Sequence, residues 1–152
     1  MKKILLLLCL LLLFSCKSKN PNSSGKSLEI LNSKEVDAFK KNRAYDLGKR
    51  LLETCNTSHF KGFSSEEATE KVIQNATIER ISATCKKINF RNGKFIALNL
   101  IDVTHDKSSN QYIFRYAIDY EKKYFKRELM VTVDSDNKVS AISTKEIAPK
   151  PM

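Results

Sequence analysis

The side chains of this 152-residue chain with chemistry beyond packing are few: two histidines, a scatter of carboxylates and a run of tyrosines. His105 stands beside Asp106, with Asp102 three residues earlier. A metal centre draws three or four ligands from such groups, and one histidine with two acids in a polar stretch reads as a solvated turn. His59, next to Phe60, reads as structural or exposed in a connection between helices. Asp134-Ser135-Asp136-Asn137 begins like a calcium loop but lacks the glycine and the distant glutamate that such a loop requires. Gly48-Lys49 lacks the glycine spacing of a phosphate loop, and no Gly-x-Ser-x-Gly nucleophile setting occurs. No catalytic residue, metal ligand or cofactor is therefore assigned. The tyrosines are more suggestive. Tyr112, Tyr116 and Tyr120 recur at even spacing, so on a strand they share one face. Their hydroxyls would orient a ligand if that face lined a pocket, or their rings would pack beneath helices. Asp102 and Asp119 are the carboxylates within reach, but alternation turns Asp119 to the face opposite the tyrosines.

A single small domain must position these groups. With 41% hydrophobic and 29% charged residues, and only four glycines and three prolines, the composition excludes collagen, low-complexity tails and a large two-domain enzyme. From Ser33 the pattern is helical: Val36, Phe39, Ala44, Leu47, Leu51 and Cys55 form an apolar stripe. Gly48 beside the stripe permits close helix packing. A capping box, Ser64 with Glu67, predicts the start of a second helix. A third starts near Thr77, with Ile78, Ile81, Cys85 and Ile88 on one face, and is expected to end at Gly93, the alternative being that Asn92-Gly93 closes a hairpin between residues 88–90 and 95–97. Beyond Gly93 the period changes to two. Strands are expected from Phe95 to Val103, around Tyr112 to Glu121, from Phe125 to Val133 and from Val139 to Ile147, with polar turns between them. The expected class is α+β, with three N-terminal helices on a curled four-stranded antiparallel sheet. In the order of its elements, and in the Asn92-Gly93-Lys94-Phe95 entry into the sheet, the chain resembles the nuclear transport factor 2-like superfamily. A cystatin-like or other α+β sandwich is the alternative. The first resemblance implies a cone-shaped domain whose interior face, here Tyr112, Tyr116 and Tyr120, lines a pocket.

The first sixteen residues carry a separate message. Lys2 and Lys3 precede an unbroken apolar run at 4–14, which fits a secretory signal and is too short for the roughly 20 residues of a membrane span. Leu13-Phe14-Ser15-Cys16 resembles the lipobox of bacterial lipoproteins, in which the cysteine is acylated and becomes the mature amino terminus. The resemblance implies palmitate-type lipidation of Cys16, and two or three acyl chains anchor a protein durably. It also divides the chain into a signal peptide at 1–15, a lipidated start and flexible tether at 16–32, and one α+β domain at 33–148. Lys17 follows the cysteine where an inner-membrane retention signal would place Asp, so the outer membrane is expected, facing the periplasm. Of four cysteines, Cys9 would leave with the signal and Cys16 would be acylated. Cys55 and Cys85 remain, in an oxidising compartment that favours a disulfide. They could also remain two separate buried thiols.

The 27 basic and 17 acidic residues leave a charge of +10. Lys122, Lys123, Lys126 and Arg127 cluster at one hairpin, able to meet anionic envelope components or simply to solvate a turn. Nucleic acid is not an expected partner for a secreted, tethered domain. The expectation is a non-catalytic binding module for an envelope protein or a small ligand. The alternatives are a small cone-fold enzyme of ketosteroid-isomerase-like or hydrolytic type, and a structural element linking membrane to peptidoglycan.

Overall fold

A computed structural model describes residues 27–147. The segment at 1–15 and Cys16 lie outside the described residues. The elements run β1 (Leu28–Leu31), α1 (Ala38–Thr57), α2 (Glu70–Asn75), α3 (Ile78–Asn92), β2 (Phe95–Asp106), β3 (Gln111–Tyr120), β4 (Lys126–Val133) and β5 (Val139–Ile147). The strands form one antiparallel sheet in the order β1-β2-β3-β4-β5, with the helices on one face.

Two features correct the expected architecture. The sheet has five strands, because residues 28–31, read from sequence as the end of the tether, pair with residues 103–106 at the far end of β2. It is also neither curled nor closed: β1 and β5 are its two edges, and they do not pair. The four-residue β1 escaped sequence reading because it is held by backbone pairing, not by a buried face. Leu28 and Ile30 are 56% and 75% exposed, so no periodicity marks them.

The helices begin where side chains can satisfy their free amides. The Asp37 carboxylate accepts from the Phe39 and Lys40 amides at 2.8 and 3.1 Å, and Thr77 accepts from the Arg80 amide. Gly93, at φ 74°, ends α3 and turns the chain into β2. The second helix starts later than its capping box suggests. Half of the capping box forms, the Ser64 amide donating to Glu67 Oε2 at 3.0 Å, while the Glu67 amide donates to the Ser64 carbonyl instead of its hydroxyl. The chain then pairs Ala68 in parallel with Val139 before α2 begins at Glu70. Glu67 and Thr69 exchange backbone bonds with Val139 at 2.9 Å, so this stretch closes the first part of the β5 edge.

The core lies between helices and sheet. Phe114, Leu47, Leu129, Val103, Val131, Val133 and Val139 are fully buried. Gly48 brings α1 directly onto β4: a Cβ there would stand 2.6 Å from Leu129 Cδ2 and 3.3 Å from Val131 Cγ2. This close approach leaves no standoff beneath the helix for the interior of a cone. On the uncovered face a row of alternating charge crosses four strands. Asp102 pairs with Arg115, Arg115 reaches Glu128 at 3.5 Å, and Glu128 meets Lys145 at 3.4 Å.

Candidate ligand-binding cleft

The tyrosines lie on the helix-facing side of β3, as their alternation implies, but they lie in packed core. Tyr116 and Tyr120 are each 3% exposed, while Tyr112 is half-buried at the margin. Tyr45 of α1 closes on Tyr116 edge-to-face at 6.3 Å, and Phe95 does the same to Tyr120 at 6.5 Å. Burial raises the Tyr116 phenol well above its ordinary range and pushes Tyr120 up to about 12. The buried Tyr120 hydroxyl has no hydrogen-bond partner among the described residues. Asp119, on the other face, accepts from the Asn99 side chain at 2.8 Å.

The stretch around His105 resolves into local contacts. Its ring stacks on Tyr112 at 4.4 Å and its Nε2 lies 3.1 Å from Asn110 Oδ1. Asp106 accepts from Ser108 and Ser109, which hold its carboxyl down to about 2. Asp102 is turned to the opposite face and paired with Arg115. No group of three or more His, Cys, Asp or Glu side chains is placed to hold a metal ion among the described residues. Residues 134–137 form the β4–β5 turn, secured by the Lys40 ammonium, which donates to the Asp134 carbonyl at 2.9 Å and to Asn137 Oδ1 at 2.6 Å.

A cleft opens elsewhere, on the side of α1 nearest α2, α3 and β5. Cys55 of α1 and Cys85 of α3 are bonded, Sγ–Sγ 2.04 Å, with their Cα atoms 4.8 Å apart. With Ile81 they make a small hydrophobic cluster separate from the main core. Asn89 adds to this link by donating to the Cys55 carbonyl at 2.7 Å. Between the two clusters is a cleft of about 370 Å³, at the lower end of the range for ligand pockets. Leu52 and Cys55 of α1 line one side, Ile81, Cys85 and Ile88 of α3 another, and Val72 of α2 lies among them.

The seam stays open for local reasons. The α2 helix is only six residues long and buries Val72 alone. The part of β5 that borders the cleft, residues 140–144, is Ser-Ala-Ile-Ser-Thr, mostly too small to fill it. A bidentate ion pair holds the approach to α2 in place. Arg50 of α1 donates to both Glu67 oxygens at 2.7 and 3.0 Å, and this guanidinium keeps the Glu67 carboxyl down at about 2.

Sequence reasoning found the floor of this cleft, in Cys55 and Cys85, but not the cleft. The residues it missed are Lys71 and Arg80 at the exposed rim and Ser140, Ser143 and Thr144 on β5. The available signal was three hydroxyls within five residues of a strand otherwise expected to bury apolar side chains. No helix among the described residues is long and apolar enough to cross a membrane. No protein-family model matches the chain, and neither a curated protein nor a solved structure matches it.

Proposed function

We propose that the protein is a lipid-anchored binding module of the bacterial envelope. Cys16 holds it at the outer membrane, facing the periplasm, and the cleft between α1, α2, α3 and β5 receives a small ligand. The anchor rests on the basic start, the apolar run at 4–14 and the lipobox-like residues before Cys16. The binding role rests on one observation: an open, largely apolar cleft whose walls are tied together by the Cys55–Cys85 bond. The enzyme alternative required a tyrosine and a carboxylate sharing a reachable pocket. Tyr116 and Tyr120 are enclosed in core, and Asp119 is on the other face.

Both halves are open to experiment. Cells fed labelled palmitate should label the protein and retain it in membranes, and Cys16→Ala should lose both properties. Unchanged fractionation of that variant removes the anchor. Native mass spectrometry of protein released from its membrane should show a non-covalent small-molecule adduct that Thr84→Trp, at an exposed lining position on the Ile81–Cys85 face of α3, removes. An adduct indifferent to that substitution places binding elsewhere.

A further inference from the structure

We infer that the cleft is built for a single-chain amphiphile with an anionic head, its chain on the apolar floor and its head between Lys71 and Arg80. This deepens the binding role proposed above and rests on the cleft being the binding site. The first argument is charge. Lys71 and Arg80 are the charged side chains along the cleft, both cations, and no carboxylate lines it among the described residues. Neither cation is ion-paired among the described residues, whereas Arg50, Arg91, Arg115 and Arg127 all are. Arg80 spends one guanidinium nitrogen on Asn75 Oδ1, which orients the group and leaves its other donors available. Lys71 and Arg80 come from different elements, α2 and the first turn of α3, and both are exposed where they line the cleft.

The second argument is the division between rim and floor. Leu52, Val72, Ile81 and Ile88 are at most 8% exposed, and the cystine adds a soft, polarisable surface beside them. Polar groups gather towards the outside, where the Thr84 hydroxyl donates to the Arg80 carbonyl at 2.9 Å, one turn from that cation. An apolar floor excludes a small inorganic anion as the preferred occupant, because its charge would be desolvated there without partners. A cationic amphiphile would meet two like charges at the rim. A volume near 370 Å³ suits one acyl chain of modest length and is too small for a two-chain lipid.

Matched eight-carbon probes separate the contributions of chain and head. Octanoate, octanol and octyltrimethylammonium, each below its micelle-forming concentration, would be titrated into isotope-labelled purified protein and followed by amide chemical shifts. Octanoate should bind saturably and shift residues 71–88 and 140–144, octanol should bind more weakly, and octyltrimethylammonium should leave these residues unmoved. Lys71→Gln and Arg80→Gln should each weaken octanoate by about threefold to fivefold, as expected for rim-exposed ion pairs, without altering octanol binding. Equal binding of all three probes in the cleft overturns the anionic-head assignment while leaving the cleft as the binding site. Absence of octanoate shifts in the cleft, together with an adduct that survives Thr84→Trp, overturns both readings. Binding to vesicles of anionic phospholipid that depends on Lys71 and Arg80, with no binding of free octanoate, overturns the single-chain assignment in favour of a membrane surface.

Discussion

The cluster around Cys55 and Cys85 and the core beneath β3 and β4 occupy the same side of the sheet, but they are closed by different means. Beneath β3 and β4 the space is filled. Phe114, Leu129, Val131 and Val133 are fully buried, Tyr45 closes on Tyr116, and Gly48 lets α1 approach until no room remains. At the α1–α3 end the elements are joined by a covalent bond, with a six-residue helix and a strand of small polar residues around an open seam. A filled region derives its stability from packing, so any void in it is costly. A cross-linked region can keep a cavity, because loop-closure entropy removed from the unfolded chain stabilises it whether or not the interior is full. The bond thus permits an opening where packing alone would favour collapse.

The sharpest way to break this contrast is to remove the cross-link. Cys55→Ser with Cys85→Ser should cost about 3–4 kcal/mol, from the loop spanning a separation of 30 residues. Amide exchange should accelerate in α2 and α3 while β3 and β4 keep their protection, and uniform loss of protection would show that the two regions are one cooperative unit. Next is Gly48→Val, which overpacks the filled region against Leu129 and should cost about 2–3 kcal/mol in denaturant unfolding. An unchanged midpoint would mean that α1 can move away from β4 freely.

The Arg50–Glu67 pair tests how the approach to the cleft is held. Glu67 is held down to about 2 from an ordinary 4.5, so its contribution is complete above pH 4.5 and is lost as the pH falls from there towards 2. Glu67→Gln should therefore lower stability at neutral pH by on the order of 2 kcal/mol. The gap from wild type should close as acid is added, and a gap independent of pH would assign the effect to packing instead. The smallest effect has the opposite sign. Tyr120→Phe removes a buried hydroxyl without a partner and should raise stability by about 1 kcal/mol, read as a higher Tm. A lower Tm would mean that the hydroxyl is satisfied in solution. The same variant should leave cleft binding unchanged, since Tyr120 does not line the cleft.

Much of this layout was legible in residue order. The stripe at Ala44, Leu47 and Leu51, the Thr77 start and Gly93 end of α3, and the four long strands all follow from periods of 3.6 or 2 with recognisable punctuation. Periodicity records which face of an element is buried, so it was weakest where burial does not decide the conformation. Leu28–Leu31 is a strand because β2 extends to Asp106 and offers it an edge. The delay between Ser64 and the start of α2 at Glu70 arises from the bridge between Ala68 and Val139, residues 71 positions apart. The tyrosines show the same limit. Their common face was evident from alternation, but whether that face enclosed space depended on how closely α1 could approach.

From the sequence alone came the α+β order, the basic charge, the pairing of Cys55 with Cys85 as a possibility and the reading of residues 1–16 as a lipidated leader. Tertiary structure alone decided that the sheet is open and five-stranded, that the tyrosine face is packed and that a cleft with Lys71 and Arg80 on its rim opens beside the disulfide. The division has a physical cause. Local propensity and hydrophobic period act between residues a few positions apart, whereas a cavity is the space left over when elements distant in the chain fail to meet. That failure depends on distances between backbones, and no residue's own preference encodes it.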